Sequence, residues 1–371
     1  MVYPLLPAYL VGTLGAPALA LGLLDGAADL TAALLRIVSG RLADRPGRRS
    51  PLVLLGYLLA VVARPLIALA RGVPLVIGLR VADRLGKGLR SPAREAMLAE
   101  SVPASERGRA FGYHRAFDHA GAVVGSLLAA GALAWGFGVP TVIAASAIPG
   151  VMVLLALWWT LRDADVGGGS PEARGDAPSV QRNLRVYWSS LTALAFLVAA
   201  RVPETLLLLH LQRGGIAVAA IPLVWAALHL VKSGVAYPAG RLVDAIGERH
   251  VVAVSGIAGA VGAGALALAD TPWALAAAFL LLGLVTGIGE PAERTLVARL
   301  APRGVGRAYG EAQALLGTLA LLAGVGYGAL VDRAGSDAAL VTWAVLAVVT
   351  TAGWLAATRP AGDSTEGRTK R

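Results

Sequence analysis

The chain of 371 residues contains no cysteine, which excludes disulfide bonds, thiolate catalysis and cysteine-ligated metal sites. Charge is also scarce: Asp, Glu, Lys and Arg make up 15% of the residues, against about a quarter in an ordinary soluble domain. Hydrophobic residues make up 56%, and the mean hydropathy is +0.67. Because one soluble core could not hide this excess, the composition predicts a protein whose apolar surface faces lipid.

Polar residues are missing from several long stretches. Residues 139–161 and 251–269 contain no charge, and residues 50–70 and 337–358 are nearly as apolar. Roughly 20 such residues cross a bilayer as a helix. Backbone amides in lipid must be paired within their own helix, and these runs lack the alternation of barrel strands. The predicted fold class is therefore all-α, in a polytopic membrane protein.

The apolar runs divide the chain into twelve predicted helices, in two sets of six. These lie at about 2–11, 18–43, 50–70, 74–98, 109–135, 139–161, 185–212, 217–244, 251–269, 272–298, 305–332 and 337–358. We predict an N-terminal bundle at 1–161, a second bundle at 185–358 and a polar tail at 359–371. Residues 162–184 are rich in Gly, Pro and Asp, which is typical of a linker.

The two halves repeat at a nearly constant spacing. GRLAD at Gly40–Asp44 returns as GRLVD at Gly240–Asp244, and GRAFG at 108–112 returns as GRAYG at 306–310. A parallel repeat of this kind is expected of a secondary transporter whose two bundles, related by a pseudo-twofold axis, move around a site at the membrane midplane.

The repeat also predicts that helix one is truncated. Pro92 matches Pro291, and the same alignment places Pro4 opposite Pro203, which lies well inside the seventh predicted helix. Helix one would then begin before residue 1. Either the start codon is assigned too late or this helix is a stub.

Basic residues are distributed unevenly between the two sets of loops. Twenty lie in the loops after even-numbered helices, the linker and the tail, against three in the opposite loops: Arg71, Arg213 and Arg333. Positively charged loops remain in the cytoplasm. The distribution predicts a multi-pass protein of the inner (plasma) membrane with both termini and the linker in the cytoplasm.

A charged turn, GRLADRPGRRSPL, joins the second and third predicted helices. It matches the pattern G-x-L-x-D-R/K-x-G-R/K-R/K at every fixed position, and so resembles the loop between helices two and three of the major facilitator superfamily. With the partial copy in the second half and the 6+6 layout, the resemblance covers essentially the whole chain. It implies a secondary transporter with a conformational latch at Gly40, Asp44, Arg45, Gly47, Arg48, Arg49, Gly240, Asp244 and Arg249.

Physical chemistry supports a latch at this turn. Asp44 lies at a helix end, where it can pair with arginines of the loop or with the N-terminus of a neighbouring helix. Contacts of this kind break when bundles rotate. A merely solvated loop would explain the arginines but not an aspartate and two glycines at fixed spacing.

Helix four and the stretch AFGYHRAFD at 110–118 resemble a bacterial permease subgroup of the same superfamily. The resemblance implies transport without naming the cargo. One departure weakens the case for export: the antiporter motif on helix five has Gly-Pro after G-x-x-x, whereas Gly125 is followed here by Ser126.

The fourth predicted helix carries an unusual number of charges on one face. At 100° per residue the polar residues fall within an arc of about 120°; they are Arg80, Asp83, Arg84, Lys87, Arg90, Ser91 and Arg94. Cations at membrane depth must meet water, a partner or a substrate. We assign Arg80, Arg84 and Lys87 to a substrate cavity, with pairing of Arg80 to Asp83 as the alternative, and expect Arg90 and Arg94 to extend to the membrane surface.

Other charges of the first half have two interpretations each. Asp29 is either a proton carrier or the counter-ion of an arginine on helix four. Asp118 is a candidate for proton coupling, or forms a structural hydrogen bond with His114 four residues earlier. Arg64, before Pro65, is expected to extend to the outer surface.

The second half carries charges on helices seven, eight and ten. Arg201 with Glu204, and Glu290 with Arg294, have the spacing of ion pairs within a helix. Helices seven and ten are the counterparts of one and four, so these residues also belong at the cavity by analogy. We assign Arg201, Glu290 and Arg294 to substrate binding, and Glu204 and Glu290 to proton coupling.

The charges within the predicted helices are unequal between the halves. In the first half we count seven cations and four carboxylates: Arg36, Arg64, Arg80, Arg84, Lys87, Arg90 and Arg115 against Asp25, Asp29, Asp83 and Asp118. In the second half the cations and carboxylates are equal in number: Arg201, Lys232 and Arg294 against Glu204, Glu290 and Glu293. A net positive cavity favours an anionic or carboxylate-bearing substrate.

The sequence predicts a transporter and not an enzyme. It contains no nucleotide-binding glycine loop, H-E-x-x-H motif or nucleophile elbow, and we expect no catalytic residue, cofactor, metal or nucleic-acid partner. We predict a monomer that exports a small amphipathic or anionic solute in exchange for protons. The alternatives are uptake or facilitated transport of an organic anion or metal chelate, and a non-transporting sensor or assembly factor.

Overall fold

The computed structural model describes residues 18–164, 184–202, 220–302 and 304–359, together with 204, 207, 210, 211 and 214–216. Side chains are described for these residues except 18–30, 161–164, 221 and 222. The predicted first helix, most of the linker and the tail beyond residue 359 lie outside the described residues.

The described part of the first half, from residue 18, forms six helices. These are α1 (Ala18–Ala43), α2 (Arg49–Leu66), α3 (Val73–Glu100), α4 (Arg107–Ala134), α5 (Val139–Ala144) and α6 (Ala147–Ala164). Short 3-10 turns at Ile67–Leu69 and Ala104–Glu106 follow α2 and precede α4. The predicted second to fifth helices correspond to α1 to α4, and the sixth to α5 and α6.

In the described part of the second half, six helices have defined bounds as well. These are α7 (Leu184–Ala199), α8 (Ile221–Ile246), α9 (Glu248–Ala267), α10 (Pro272–Leu300), α11 (Val305–Ala334) and α12 (Ser336–Ala357). The described residues form helices and turns and no strand, as the all-α prediction requires. Seven of the described helical segments are long and apolar enough to cross a membrane.

Two predicted helices are interrupted, and proline explains both corrections. The sixth breaks at Ala145–Ser146, because the Pro149 ring clashes with the carbonyl group four residues earlier. The seventh, predicted to run to residue 212, ends as α7 at Ala199, and Val202 is not helical. Val202 precedes a proline in the sequence, and that position disfavours helical backbone.

The two bundles meet along two equivalent helix pairs, α1 with α11 and α4 with α8. Glycines bring the backbones into contact at both crossings. A Cβ atom on Gly40 would lie 2.6 Å from the Gly306 carbonyl oxygen, and one on Gly112 would lie 3.1 Å from the Cα atom of Gly240. Small residues permit such close packing of helices in a membrane. Both crossings lie at the end of the molecule that carries the arginine-rich loops, which we call the arginine-rich end.

Candidate functional site

Asp44 lies at the arginine-rich end, just after the last turn of α1. Its carboxylate accepts hydrogen bonds from the backbone N–H groups of Gly306 and Arg307, each at 2.8 Å. These are free amides of the first turn of α11, where the helix dipole favours a negative charge. Of the two pairings expected for Asp44, the structure contains the one with a helix N-terminus, and that helix belongs to the other bundle.

Asp244 makes the same contact in the opposite direction. It follows Val243 near the end of α8, and it accepts hydrogen bonds from the N–H groups of Gly108 at 2.8 Å and Arg109 at 2.9 Å, in the first turn of α4. Each bundle therefore caps a helix of the other, and the repeated sequence motif produces a repeated contact.

The other residues of the charged turn contact residues of their own bundle or face solvent. Gly47 has a positive φ of 67°, which a glycine adopts readily. Arg49 donates to the Ala43 carbonyl group at 2.8 Å and pairs with Glu100 at 2.5 Å, while Arg45 and Arg48 are exposed.

Arg249 does not repeat the contacts of Arg49. It donates to the Leu355 carbonyl group at 3.0 Å, at the end of α12. The counterpart of Arg49 is Glu248, because α9 begins at Glu248 where α2 begins at Arg49, and Glu248 pairs with Arg299. The structure therefore places Glu248 opposite Arg49, whereas the sequence repeat aligns Arg49 with the next residue, Arg249.

A buried ion pair joins α3 to α10 across the bundle interface. Glu95, 3% exposed, pairs with Arg294 and accepts a hydrogen bond from Gln313 Nε2 at 2.5 Å. Arg36 of α1 donates to the Gln313 carbonyl group at 3.4 Å. Glu95 is not among the site residues predicted from the sequence, and it is missing from the four carboxylates counted in the first half.

A second charged contact joins α4 to α10 and α8. Glu290 lies 3.2 Å from Arg115 and 3.4 Å from His119 Nε2. The Nδ1 atom of His119 lies 3.1 Å from Nδ1 of His229, on α8. Nearby, Ser233 donates to the Ala116 carbonyl group at 2.8 Å. Glu290, a predicted site residue, therefore lies between the bundles.

Asp118 pairs within the first bundle. Its carboxylate lies 3.0 Å from Arg115, 3.6 Å from Arg94 and 3.8 Å from His114. The expected contact with His114 is the longest of the three, because two arginines compete for the same carboxylate.

The intrahelical ion pairs predicted for the second half are wrong. Arg201 pairs with Glu293 of α10, and Glu204 pairs with Lys232 of α8, while Arg294 pairs with Glu95. In a bundle, a charged side chain that faces a neighbouring helix is neutralised there, so spacing along one helix does not identify the partner.

The charges on α3 divide between its neighbours. Asp83 is buried and accepts from Arg64 at 2.8 Å and from Arg80 at 3.2 Å, so Arg80 has the pairing that was its alternative. Arg64 donates to that carboxylate while its side chain stays 43% exposed, so its extension to the outer surface is compatible with the pair and stays a prediction.

Arg90 and Arg94 also turn inward, toward α2. Arg90 donates to the Gly56 carbonyl group at 3.1 Å and lies 4.4 Å above the Tyr57 ring, and Arg94 donates to the Tyr57 hydroxyl group at 3.1 Å. The expected extension to the surface is therefore not what these side chains do.

Lys87 faces the space between the bundles. It shares a helix face with Ser91 and Glu95, at steps of four residues, and lies about 12 Å from Glu95 along the axis of α3. Its side chain is exposed, and it has no hydrogen bond or ion pair to any residue that the structure describes. The described charges that act most strongly on it are four arginines, at positions 36, 84, 90 and 115.

Asp25 and Asp29 lie on α1 among the residues whose side chains are outside the described set. Within the described residues, no three His, Asp or Glu side chains come together as ligands for a metal ion.

Comparison with known families agrees with this arrangement. The family model of the Major Facilitator Superfamily matches residues 1–231 and 202–371, and therefore both halves of the chain. The protein belongs to the major facilitator superfamily.

Two relatives align with most of the chain. An uncharacterized protein of Mycobacterium tuberculosis is 32% identical over 336 residues, which cover 87% of this chain and 79% of that protein. Multidrug resistance protein MdtH of Aeromonas hydrophila is 30% identical over 351 residues, which cover 90% of this chain and 84% of MdtH.

Solved structures of the superfamily share the fold. The human organic anion transporter MFSD10 (TETRAN) superposes with a TM-score of 0.67 at 18% identity, covering 93% of this chain and 88% of that one. The proton:xylose symporter XylE, bound to 6-bromo-6-deoxy-D-glucose, gives a TM-score of 0.73 at 15% identity, covering 97% of this chain and 89% of XylE. The 6+6 arrangement is thus that of a multi-pass membrane transporter of the superfamily.

The predicted site residues fall into three places in this superfamily fold. Glu290 and Arg294 lie at the bundle interface with the two aspartate caps. Arg84 and Lys87 lie about three and two turns before Glu95 on the same face of α3, and Arg80, Arg201, Glu204 and Asp118 pair inside their own bundle.

Proposed function

We propose that the protein is a proton-coupled secondary transporter that exports a small anionic or amphipathic solute across the inner membrane by alternating access. The cargo binds between the bundles near Arg84 and Lys87, with Arg201, Glu290 and Arg294 on the facing bundle. Both termini and the linker lie in the cytoplasm, as the distribution of basic residues favours.

One observation carries the choice of cargo: the positive charge around Lys87. Four arginines act on this ammonium group, and the described residues provide it with no carboxylate partner. A cation at membrane depth is stabilised by water, which the exposed Lys87 side chain meets, or by an opposite charge. An anionic group on the cargo supplies that charge, and lysine and arginine bind carboxylates and phosphates through charge-assisted hydrogen bonds.

The contacts at the arginine-rich end support a latch. Asp44 and Asp244 hold helices of the opposite bundle through backbone hydrogen bonds, and Glu95 and Glu290 add ion pairs. With this end in the cytoplasm, the described conformation is closed toward the cytoplasm, and export requires these contacts to break and form again in each cycle.

Proton coupling is assigned to carboxylates inside the membrane: Glu204, Glu290, Asp29 and Asp118. Glu290 has the strongest support, because its partners Arg115 and His119 both belong to the other bundle. Export is favoured because a relative aligned over most of the chain is named as a multidrug resistance protein.

Flux measurements in proteoliposomes test the proposal. Purified protein is reconstituted, and uptake of radiolabelled monocarboxylates, organic phosphates and lipophilic cations is followed under a pH gradient of either sign. Export by antiport predicts that protons flow from the acidic to the alkaline side of the membrane while an organic anion moves the other way. The anion should therefore accumulate on the acidic side. We expect Lys87→Gln to reduce the apparent affinity for that anion about 10- to 100-fold, through loss of one charge-assisted hydrogen bond.

Arg333→Gln is the matched control, because this exposed arginine lies at the opposite end of α11. It should leave the affinity unchanged. Movement of the anion together with protons would instead establish uptake. Transport of cations alone, unaffected by Lys87→Gln, would refute an anionic cargo. Binding of an anion without flux under either gradient would indicate a sensor.

A further inference from the structure

Carboxylates at the arginine-rich end differ in where their cationic partners lie. At that end Glu311 pairs with Arg307, one turn away on α11; elsewhere in the second half, Glu204 likewise pairs with Lys232 of its own bundle. Glu95 instead pairs with Arg294 on the opposite bundle. A partner in the same bundle stays in place when the bundles separate, whereas a partner in the other bundle is withdrawn.

Loss of a partner in the opposite bundle is most costly for Glu95, because Glu95 is the most deeply buried of these carboxylates. Its side chain is 4% exposed, against 13% for Asp244 and 24% for Glu290, whose cationic partners also lie across the interface. Removing one member of a buried ion pair leaves an uncompensated charge, which is strongly unfavourable. A carboxylate can escape that cost by taking up a proton.

The groups around Glu95 provide its carboxylate with one cationic partner and one neutral hydrogen-bond donor. Gln313 of α11 donates a hydrogen bond to its second oxygen, and the Gln313 carbonyl group accepts from Arg36 of α1. Tyr309 donates to the Arg294 carbonyl group at 2.8 Å and so positions the backbone beside the guanidinium. Arg294 is the charged group that contacts Glu95 among the described residues, and Arg94 precedes Glu95 on α3 but turns to α2.

The internal repeat explains why these two residues meet. Glu95 and Arg294 are 199 residues apart, as are Pro92 and Pro291. They are equivalent positions on equivalent helices, and equivalent positions near a twofold axis face each other. Identical charges there would repel, so the two halves carry opposite ones.

We propose that Glu95 is a proton-binding residue that couples protonation to opening of the arginine-rich end. This inference rests on the proton-coupled transport proposed above and adds a residue to it. When Glu95 is ionised, its pair with Arg294 holds the bundles together. A proton from water adds to the carboxylate, the ion pair becomes a neutral carboxyl group beside Arg294, and the guanidinium gains water as the bundles separate.

The cycle that follows carries protons inward. Protonation favours the conformation open toward the cytoplasm, where the proton is released. The ionised carboxylate then pairs with Arg294 again, and the end closes around the cargo. Each turnover moves one proton from Glu95 to the cytoplasm and cargo in the opposite direction.

The absence of native cysteines allows a direct test. Ser105→Cys and His250→Cys place spin labels on exposed residues of the two bundles at the arginine-rich end. Distances between them are measured by pulsed electron paramagnetic resonance in nanodiscs at acidic and alkaline pH. In the otherwise native chain, acid should increase the long-distance population. In Glu95→Gln, which resembles the protonated state, that population should be high at both pH values.

Two further variants separate proton binding from mere loss of a contact. Glu311→Gln removes a carboxylate at the same end whose partners Arg307 and Tyr187 lie in its own bundle, and it should retain the pH response. The exchange Glu95→Arg with Arg294→Glu moves the carboxylate across the interface and should restore a pH response. If Glu95→Gln does not fold, the presence or absence of a pH response in the exchanged variant alone tests the inference.

A pH response that survives in Glu95→Gln, or fails to appear in the exchanged variant, would overturn the inference. Because the distance measurement needs no cargo, its result is independent of the flux assay. Failure of every anion in that assay would refute the cargo, and a flux without a Glu95-dependent distance change would refute only the role of Glu95.

Discussion

The carboxylate of Asp44 caps a helix that belongs to the other bundle. It accepts two hydrogen bonds, from the N–H groups of Gly306 and Arg307, and loss of a helix N-cap costs about 0.5–2 kcal/mol. We therefore expect Asp44→Ala to accelerate hydrogen exchange of the first turn of α11 by roughly 2- to 30-fold, as measured by mass spectrometry. Asp244→Ala should have an effect of similar size on the first turn of α4.

Asp332→Ala is the control for this measurement. Asp332 is exposed in the last turn of α11, at the opposite end, so its loss should leave exchange of the first turn unchanged. Equal exchange in Asp44→Ala and the native chain would mean that the cap does not hold the two bundles together.

Single residues also mark the limit of the sequence analysis. The motif around Asp44 predicted two alternatives, pairing with arginines of the loop or with a helix N-terminus, and only the structure distinguishes them, in favour of the second. Glu95 was missed, although its separation of 199 residues from Arg294 in the repeat contained the signal. The predicted pairing of Arg201 with Glu204 failed because spacing along one helix says nothing about the charges on its neighbours.

Glycines control how closely helices approach at the bundle interface. A Cβ atom on Gly240 of α8 would overlap the backbone of Gly108 on α4 and lie 3.1 Å from the Cα atom of Gly112. Extra atoms in a tightly packed contact cost about 1–3 kcal/mol. Gly240→Ala should therefore increase the long-distance population between spin labels at residues 105 and 250, at every pH.

Gly234→Ala, on the same helix, is the matched control. No atom lies within 4 Å of a Cβ at this position, so the substitution should leave the distance distribution unchanged. A native distribution in Gly240→Ala would show that the crossing of α4 and α8 tolerates separation, and that the closed end depends on the caps and ion pairs instead.

Helices were predicted well where apolar runs decide their bounds and less well where the backbone is interrupted. The run at 18–43 corresponds residue for residue to α1. The break between α5 and α6 was not predicted, since hydropathy stays high across it and the cause lies in the position of Pro149 relative to the carbonyl group of Ala145. Composition indicates that a segment crosses the membrane, but not whether one helix does so.

Over the whole molecule, the repeat predicts more than the division into two bundles. Arg49 pairs with Glu100 where α2 begins and α3 ends, and Glu248 pairs with Arg299 where α9 begins and α10 ends. The two ion pairs occupy equivalent places with their charges reversed. The fold thus accepts either polarity at this position, provided that the partners remain opposite.

This equivalence predicts the outcome of charge reversal in the first half. Arg49→Glu and Glu100→Arg should each lower the free energy of unfolding, by about 1 kcal/mol or less because both side chains are partly exposed. The double variant should recover most of the loss, since it recreates the polarity of Glu248 and Arg299. Thermal unfolding in detergent of the four proteins in this cycle measures the coupling between the two sites. Strictly additive losses in the double variant would mean that the second-half pair depends on its own surroundings, and that the pseudo-twofold axis relates the backbones of the two halves without making their ion pairs interchangeable.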